Sequence, residues 1–113
     1  MKSKPTEIEL AVLREIAGRN PEIGNLDIQV ANVVVKSRRY TGVGFYSDFE
    51  IPDSVAPLIA CPRANIMING FMSGQLCHFI LWPSNDANYI EQLEIVTPDD
   101  SLPEGAVLES FIA

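Results

Sequence analysis

The stretch Thr41-Gly42-Val43-Gly44-Phe45-Tyr46-Ser47-Asp48-Phe49-Glu50-Ile51 constrains the fold more than any other part of the chain. Val43, Phe45, Phe49 and Ile51 share one parity, and Gly44, Tyr46, Asp48 and Glu50 share the other. That alternation predicts a strand with one buried face, and its two Phe rings are the expected anchors of the core. If Tyr46 lies opposite Phe45, it needs cover from the helix, a ligand or a partner chain.

The preceding sequence supplies something for this strand to lie on. Thr6 is followed three residues later by Glu9, with Pro5 just ahead, so a capping box starts a helix here. Ile8, Leu10, Val12, Leu13, Ile16 and Ala17 fill a broad apolar arc, while Glu7, Arg14, Glu15 and Gly18 gather opposite. Glu9 interrupts the arc, and its capping duty accounts for that. The arc is wide enough to contact both a sheet and a partner chain. Gly18-Arg19-Asn20-Pro21 ends the helix. After the turn signal Gly24-Asn25, Leu26, Ile28 and Val30 alternate with Asp27 and Gln29, which predicts a first strand. Ala31, Val33 and Val35 continue on the opposite parity, as a bulge near Val30 and Ala31 would produce. The hairpin expected next pairs Ala31–Ser37 with Thr41–Ile51, and Gly42 and Gly44 each permit a bend or a close approach.

Pro52, Pro57 and Pro62 forbid a long strand or an unbroken helix, so the chain crosses over irregularly, pinned by Val55, Leu58 and Ile59. Ile66-Met67-Ile68 reads as a short strand. Asn69-Gly70 is a hairpin signal, with Gly74 as a second candidate turn. Leu76–Trp82 is nearly all apolar and stops at Pro83, as for a central strand covered on both faces. Tyr89–Val96 interleaves charges and reads as a final strand near an edge. The tail from Thr97, containing Asp99, Asp100 and Pro103, ends in Phe111 and Ile112. It either adds an edge strand or docks on a neighbouring subunit, because leaving each of these side chains in water forfeits roughly 1.5–3 kcal/mol. The expected class is α+β: an N-terminal helix packed on a mainly antiparallel twisted sheet of about five strands.

With 113 residues the chain has room for one domain, 1–113, burying roughly 65% of its unfolded surface. A net charge of -7 repels phosphate backbones, so nucleic acid is not an expected partner. The one dense basic run, Lys36-Ser37-Arg38-Arg39, is expected in a turn as a solvated tip. Cys61 and Cys77 lack the spacing of a zinc or redox motif and are expected as free buried thiols. The basic start Met1-Lys2-Ser3-Lys4 leads into an amphipathic pattern, which is not a signal peptide, and the apolar runs fall short of a bilayer span. A cytoplasmic protein with no membrane partner is the expectation.

Candidate chemistry is sparse. His78 is the single imidazole; with Asp48 or Glu91 orienting it, it could serve as a general base, and otherwise it is a hydrogen-bonded core residue. No serine or cysteine sits in a nucleophile elbow, so no catalytic residue is assigned. Asp48, Glu50, Asp53, Glu91 and Glu94 read as a solvated sheet face before they read as a metal site, and neither metal nor cofactor is expected. Tyr40, Tyr46, Tyr89 and Trp82 are aromatics with a polar handle, suited to core, interface or small-molecule contacts. The residues proposed for binding are Tyr40, Tyr46, His78 and Trp82.

Arg39-Tyr40-Thr41-Gly42-Val43-Gly44-Phe45-Tyr46-Ser47-Asp48-Phe49, Gly74–Trp82 and Ile90-Glu91-Gln92-Leu93-Glu94 together resemble small bacterial proteins of the kind encoded by mobile integron gene cassettes. The resemblance implies a compact α+β domain, often homo-oligomeric, sometimes with a small-molecule cavity, and it carries no functional residue across. The expected function is a non-enzymatic homo-oligomeric binding protein, dimer favoured, with a cavity for a small molecule or peptide. The alternative is an immunity or antitoxin-like protein whose acidic surface docks a basic partner protein. A small hydrolase or isomerase using His78 stands third.

Overall fold

The computed structural model describes residues 2–98, 102 and 105–113. Met1, Asp99, Asp100 and Pro103, named above, lie outside the described residues.

Helix α1 (Glu7–Arg19) starts where the capping box places it. The Glu9 N–H donates to Thr6 Oγ1 at 3.2 Å, and the Thr6 N–H donates to Glu9 Oε1 at 2.7 Å. At the far end Asn20 Nδ2 donates to the Ile16 carbonyl at 2.8 Å and closes the last turn. Glu9, Val12, Leu13 and Ile16 form the buried stripe at i, i+3, i+4 and i+7, while Ile8, Leu10 and Ala17 pack against it half-buried.

The segment expected as a first strand is a second helix, α2 (Leu26–Asn32), which packs on α1. In so short a stretch the alternation of Leu26, Ile28 and Val30 competes with the helical spacing of Leu26, Gln29, Val30 and Val33, and burial follows the helical one. Gln29 decides the outcome. Its buried Nε2 donates to the carbonyls of Ala56 and Asn88, both at 3.0 Å, and its Oε1 accepts from the Ile90 N–H at 3.0 Å. One side chain thus satisfies three backbone groups, one from the proline-rich crossover at Ala56 and two from the Asn88–Ile90 segment.

The sheet has six strands among the described residues: β1 (Val34–Tyr40), β2 (Gly44–Glu50), β3 (Ile66–Met72), β4 (Gln75–Pro83), β5 (Ile90–Val96) and β6 (Leu108–Phe111). They run in the order β1-β2-β5-β4-β3-β6 with every neighbouring pair antiparallel. The α+β class with an N-terminal helix on an antiparallel sheet is as expected; the count is six instead of about five because the tail adds β6 to the β3 edge. Phe111 there meets the Phe79 ring edge-on, centroids 5.7 Å apart. The bulge falls later than expected, between Val35 and Ser37. The basic run lies within β1 and not in a turn, since the hairpin turns at Thr41–Val43.

Two glycines are fixed by close backbone approach. A Cβ on Gly44 would collide with the Ile95 carbonyl of β5, and a Cβ on Gly70 would meet the Ser110 carbonyl of β6 and, at 2.9 Å, the Phe79 ring. Asn69-Gly70 is therefore mid-strand. The β3–β4 turn uses the second candidate, Ser73-Gly74, with φ 48° and 80°, the left-handed pair that a tight two-residue hairpin demands.

Strand β5 lies between β2 and β4, not near an edge. Its carboxylates mark which face points outward and carry no information about edge position. Strand β4 is central as expected but covered on one face only: Cys77, Phe79 and Leu81 are buried, His78 and Ile80 half-buried, and Trp82 exposed. Both helices lie on the Phe79 side, so the opposite side of the sheet is open. The crossover between β2 and β3 is irregular, with Val55 and Leu58 buried and Gly24 bridged to Ile59. Among the described residues no helix is long and apolar enough to cross a membrane.

Candidate functional site

Phe45, Ser47 and Phe49 of β2 face α1, and between the helix start and the sheet lies a cavity of about 230 Å³. Ile8, Phe45, Met72, Leu102 and Ala106 give it apolar walls, and Tyr40 and Thr6 stand at its lining with one charged pair, Glu9 and Arg38. The pair is bidentate: Arg38 Nη2 to Glu9 Oε1 at 2.6 Å and Arg38 Nε to Glu9 Oε2 at 3.0 Å. Ser47 Oγ donates to the same Oε2. Glu9 is 0% exposed, whereas Arg38 reaches the surface. Burial alone would raise the Glu9 carboxyl, but hydrogen bonds from Arg38, Ser47 and the Thr6 N–H, with the Arg38 charge, hold it below its ordinary value. The hydrogen bond to Glu9 correspondingly pushes Arg38 upward. Both carboxylate oxygens are engaged, so Glu9 is a fixed anion and not a base with a free lone pair to offer. Arg38 keeps donor capacity: among the described residues its Nη1 meets only Ser3 Oγ, at 3.4 Å.

Of the residues proposed from sequence, Tyr40 lines this cavity, and Tyr46, His78 and Trp82 lie on the open side of the sheet. The register arranges that side in rows. One row runs Arg39, Tyr46, Glu94, Ile80, Met67; the next runs Ser37, Asp48, Gln92, Trp82; a third runs Gly44, Val96, His78, Asn69. Tyr46 finds its cover within its own sheet: the Arg39 guanidinium sits 4.7 Å over the ring, and the Glu94 carboxylate accepts the phenol hydrogen bond, pushing its pKa up. Trp82 Nε1 donates to Glu94 Oε1 at 3.4 Å. Asp48 accepts from Gln92 Nε2 at 2.8 Å and Ser37 Oγ at 2.9 Å, which lowers its pKa.

His78 Nδ1 bonds Asn69 Oδ1 at 2.6 Å across the β3–β4 pair. Asp48 sits level with Trp82, four residues along β4 and hence about 13 Å from the His78 row, so no carboxylate from that set orients the ring. Among the described residues no group of three or more His, Cys, Asp and Glu converges as a metal site would require. Cys61 and Cys77 are free thiols raised by burial, Cys61 only partly covered. An open depression of about 620 Å³ at the Trp82 end is lined by Lys36, Asp48, Glu91 and Gln92.

Glu9, Arg38 and Ser47 were not singled out as a site by sequence reasoning. The signal existed in two polar interruptions of apolar faces: Glu9 in the helix arc and Ser47 on the Phe45–Phe49 parity of β2. Each alone has an ordinary explanation, and only the fold shows that they meet. No family model matches the chain, and neither a curated protein nor a solved structure shows significant similarity to it.

Proposed function

We propose that this chain is a non-enzymatic, homo-oligomeric binding protein of the cytoplasm that holds a small molecule between α1 and the sheet. The observation that carries the reading is the cavity itself, apolar on most sides with a single polar focus at Arg38 and Glu9. Small-molecule sites combine apolar walls with a few placed polar groups in this way. Catalysis fits the geometry less well, because Glu9 is fully hydrogen-bonded and His78 is tied to Asn69 on the other side of the sheet. The test uses benzene as a neutral apolar probe, followed through the Met72 and Ala106 methyl resonances. Saturable shifts in the wild type that disappear in Ala106→Leu are expected; unshifted methyls would remove the cavity from the argument.

A further inference from the structure

The charge state of the cavity restricts what it accepts. Arg38 and Glu9 neutralise each other, so the polar end has donors to offer and no net charge. A ligand carboxylate would have to sit beside the Glu9 carboxylate and be repelled by it, or displace it from Arg38, breaking the capping box and the Ser47 bond as well. A ligand ammonium would face the Arg38 guanidinium. An uncharged acceptor meets neither obstacle: Arg38 Nη1 has only a long contact to Ser3, and the Tyr40 hydroxyl makes no hydrogen bond to any described residue. Phe45, Met72, Leu102 and Ala106 then flank a compact hydrocarbon body, for which about 230 Å³ leaves room.

Resting on the binding function proposed above, we infer that the ligand class is a small uncharged molecule with one carbonyl-type acceptor, such as a ketone, lactone or ester, its oxygen directed to Arg38 and its hydrocarbon part held among Phe45, Met72 and Ala106. The recognition is differential. The acceptor adds a hydrogen bond from a charged donor that an alkane or arene cannot use, and neutrality avoids the penalty a charged analogue incurs.

Cyclohexanone, cyclohexanecarboxylate, cyclohexylamine and benzene are titrated separately into the full chain, reading the Met72 methyl resonance and the Arg38 side-chain N–H signals. Cyclohexanone is expected to bind about tenfold tighter than each of the other three and to shift Arg38 as well as Met72, with both effects lost in Ala106→Leu. Should that variant fail to fold, Met72→Leu provides a milder change of the wall, expected to weaken cyclohexanone binding as read on the Ala106 methyl and the Arg38 side-chain N–H signals. Equal or tighter binding by the carboxylate or the amine overturns the ligand class while leaving the cavity as a binding site. Benzene binding as tightly as cyclohexanone overturns the role of Arg38. If none of the four shifts Met72, both the ligand class and the binding function fall.

Discussion

Glu9 joins three duties in one side chain: it closes the capping box, fixes Arg38 and receives the Ser47 hydroxyl. Glu9→Gln keeps the shape but removes the charge, and is expected to cost about 2–3 kcal/mol at pH 7, with Ser47→Ala costing about 1 kcal/mol. The pH dependence follows from the direction of the Glu9 shift. Its folded-state pKa lies below the unfolded value of 4.5, so its contribution is complete above that value and is lost as pH falls through the lower folded pKa. Urea unfolding of wild type and Glu9→Gln should therefore show a gap at pH 7 that narrows steadily below about pH 4. A gap of constant size would mean that the charge of Glu9 does not stabilise the fold. Gln29 makes a complementary case without charge. Replacing it with Leu would leave the Ala56 and Asn88 carbonyls and the Ile90 N–H without their partner, so Gln29→Leu is expected to destabilise by about 3 kcal/mol despite its greater hydrophobicity, measured by the same unfolding experiment.

Gly70 tests how β6 is attached. With the Ser110 carbonyl and the Phe79 ring pressed against its Cα, Gly70→Ala is expected to pry β6 from β3 and raise amide exchange at Phe71 and Ile112, while β4 and β5 stay protected. Gly74→Ala acts differently, forcing Ala into φ 80° at a cost of about 1–2 kcal/mol spread over the whole β3–β4 hairpin. The same pair shows what the sequence could and could not convey. Asn-Gly and Ser-Gly are both turn signals, and local chemistry ranks Asn69-Gly70 first. What reverses the ranking is that Phe71 and Met72 must continue the strand, Met72 into the core, while Gly70 admits β6, a neighbour far away in the chain. The α1 capping box and the β1–β2 hairpin were legible because their causes lie within a few residues. The α2 segment reads as extended from sequence because Gln29 takes its partners from the crossover and from Asn88 and Ile90, and the site is not legible there because Glu9, Arg38 and Ser47 come from three separate elements.

The open side of the sheet is where association should occur. Its β1–β2 part is a polar ladder in which Arg39, Tyr46 and Glu94 form one set of contacts and Ser37, Asp48 and Gln92 another. Its β4–β3 part is apolar: Met67 is 51% exposed and Phe71 and Trp82 38% each, beside half-buried Leu76, Ile80 and Val96. Lateral growth of the sheet is disfavoured at both ends, because Ser3 bridges Val35 along β1 and β6 is only four residues long. A second copy is thus expected to pack face to face, through the apolar part, with the polar ladder at the rim; stable interfaces of this kind cover about 800 Å² per partner. Sedimentation at micromolar concentration should show a dimer that survives about 1 M salt, since burial of apolar surface is not screened. Ile80→Arg, placing a charge in the middle of the patch on a side chain only half-buried in the monomer, is expected to give a folded monomer with an unchanged circular dichroism spectrum. An acidic surface serving a basic partner protein would behave in the opposite way, with a monomeric wild type, indifference to Ile80→Arg, and complexes that dissociate as salt is raised.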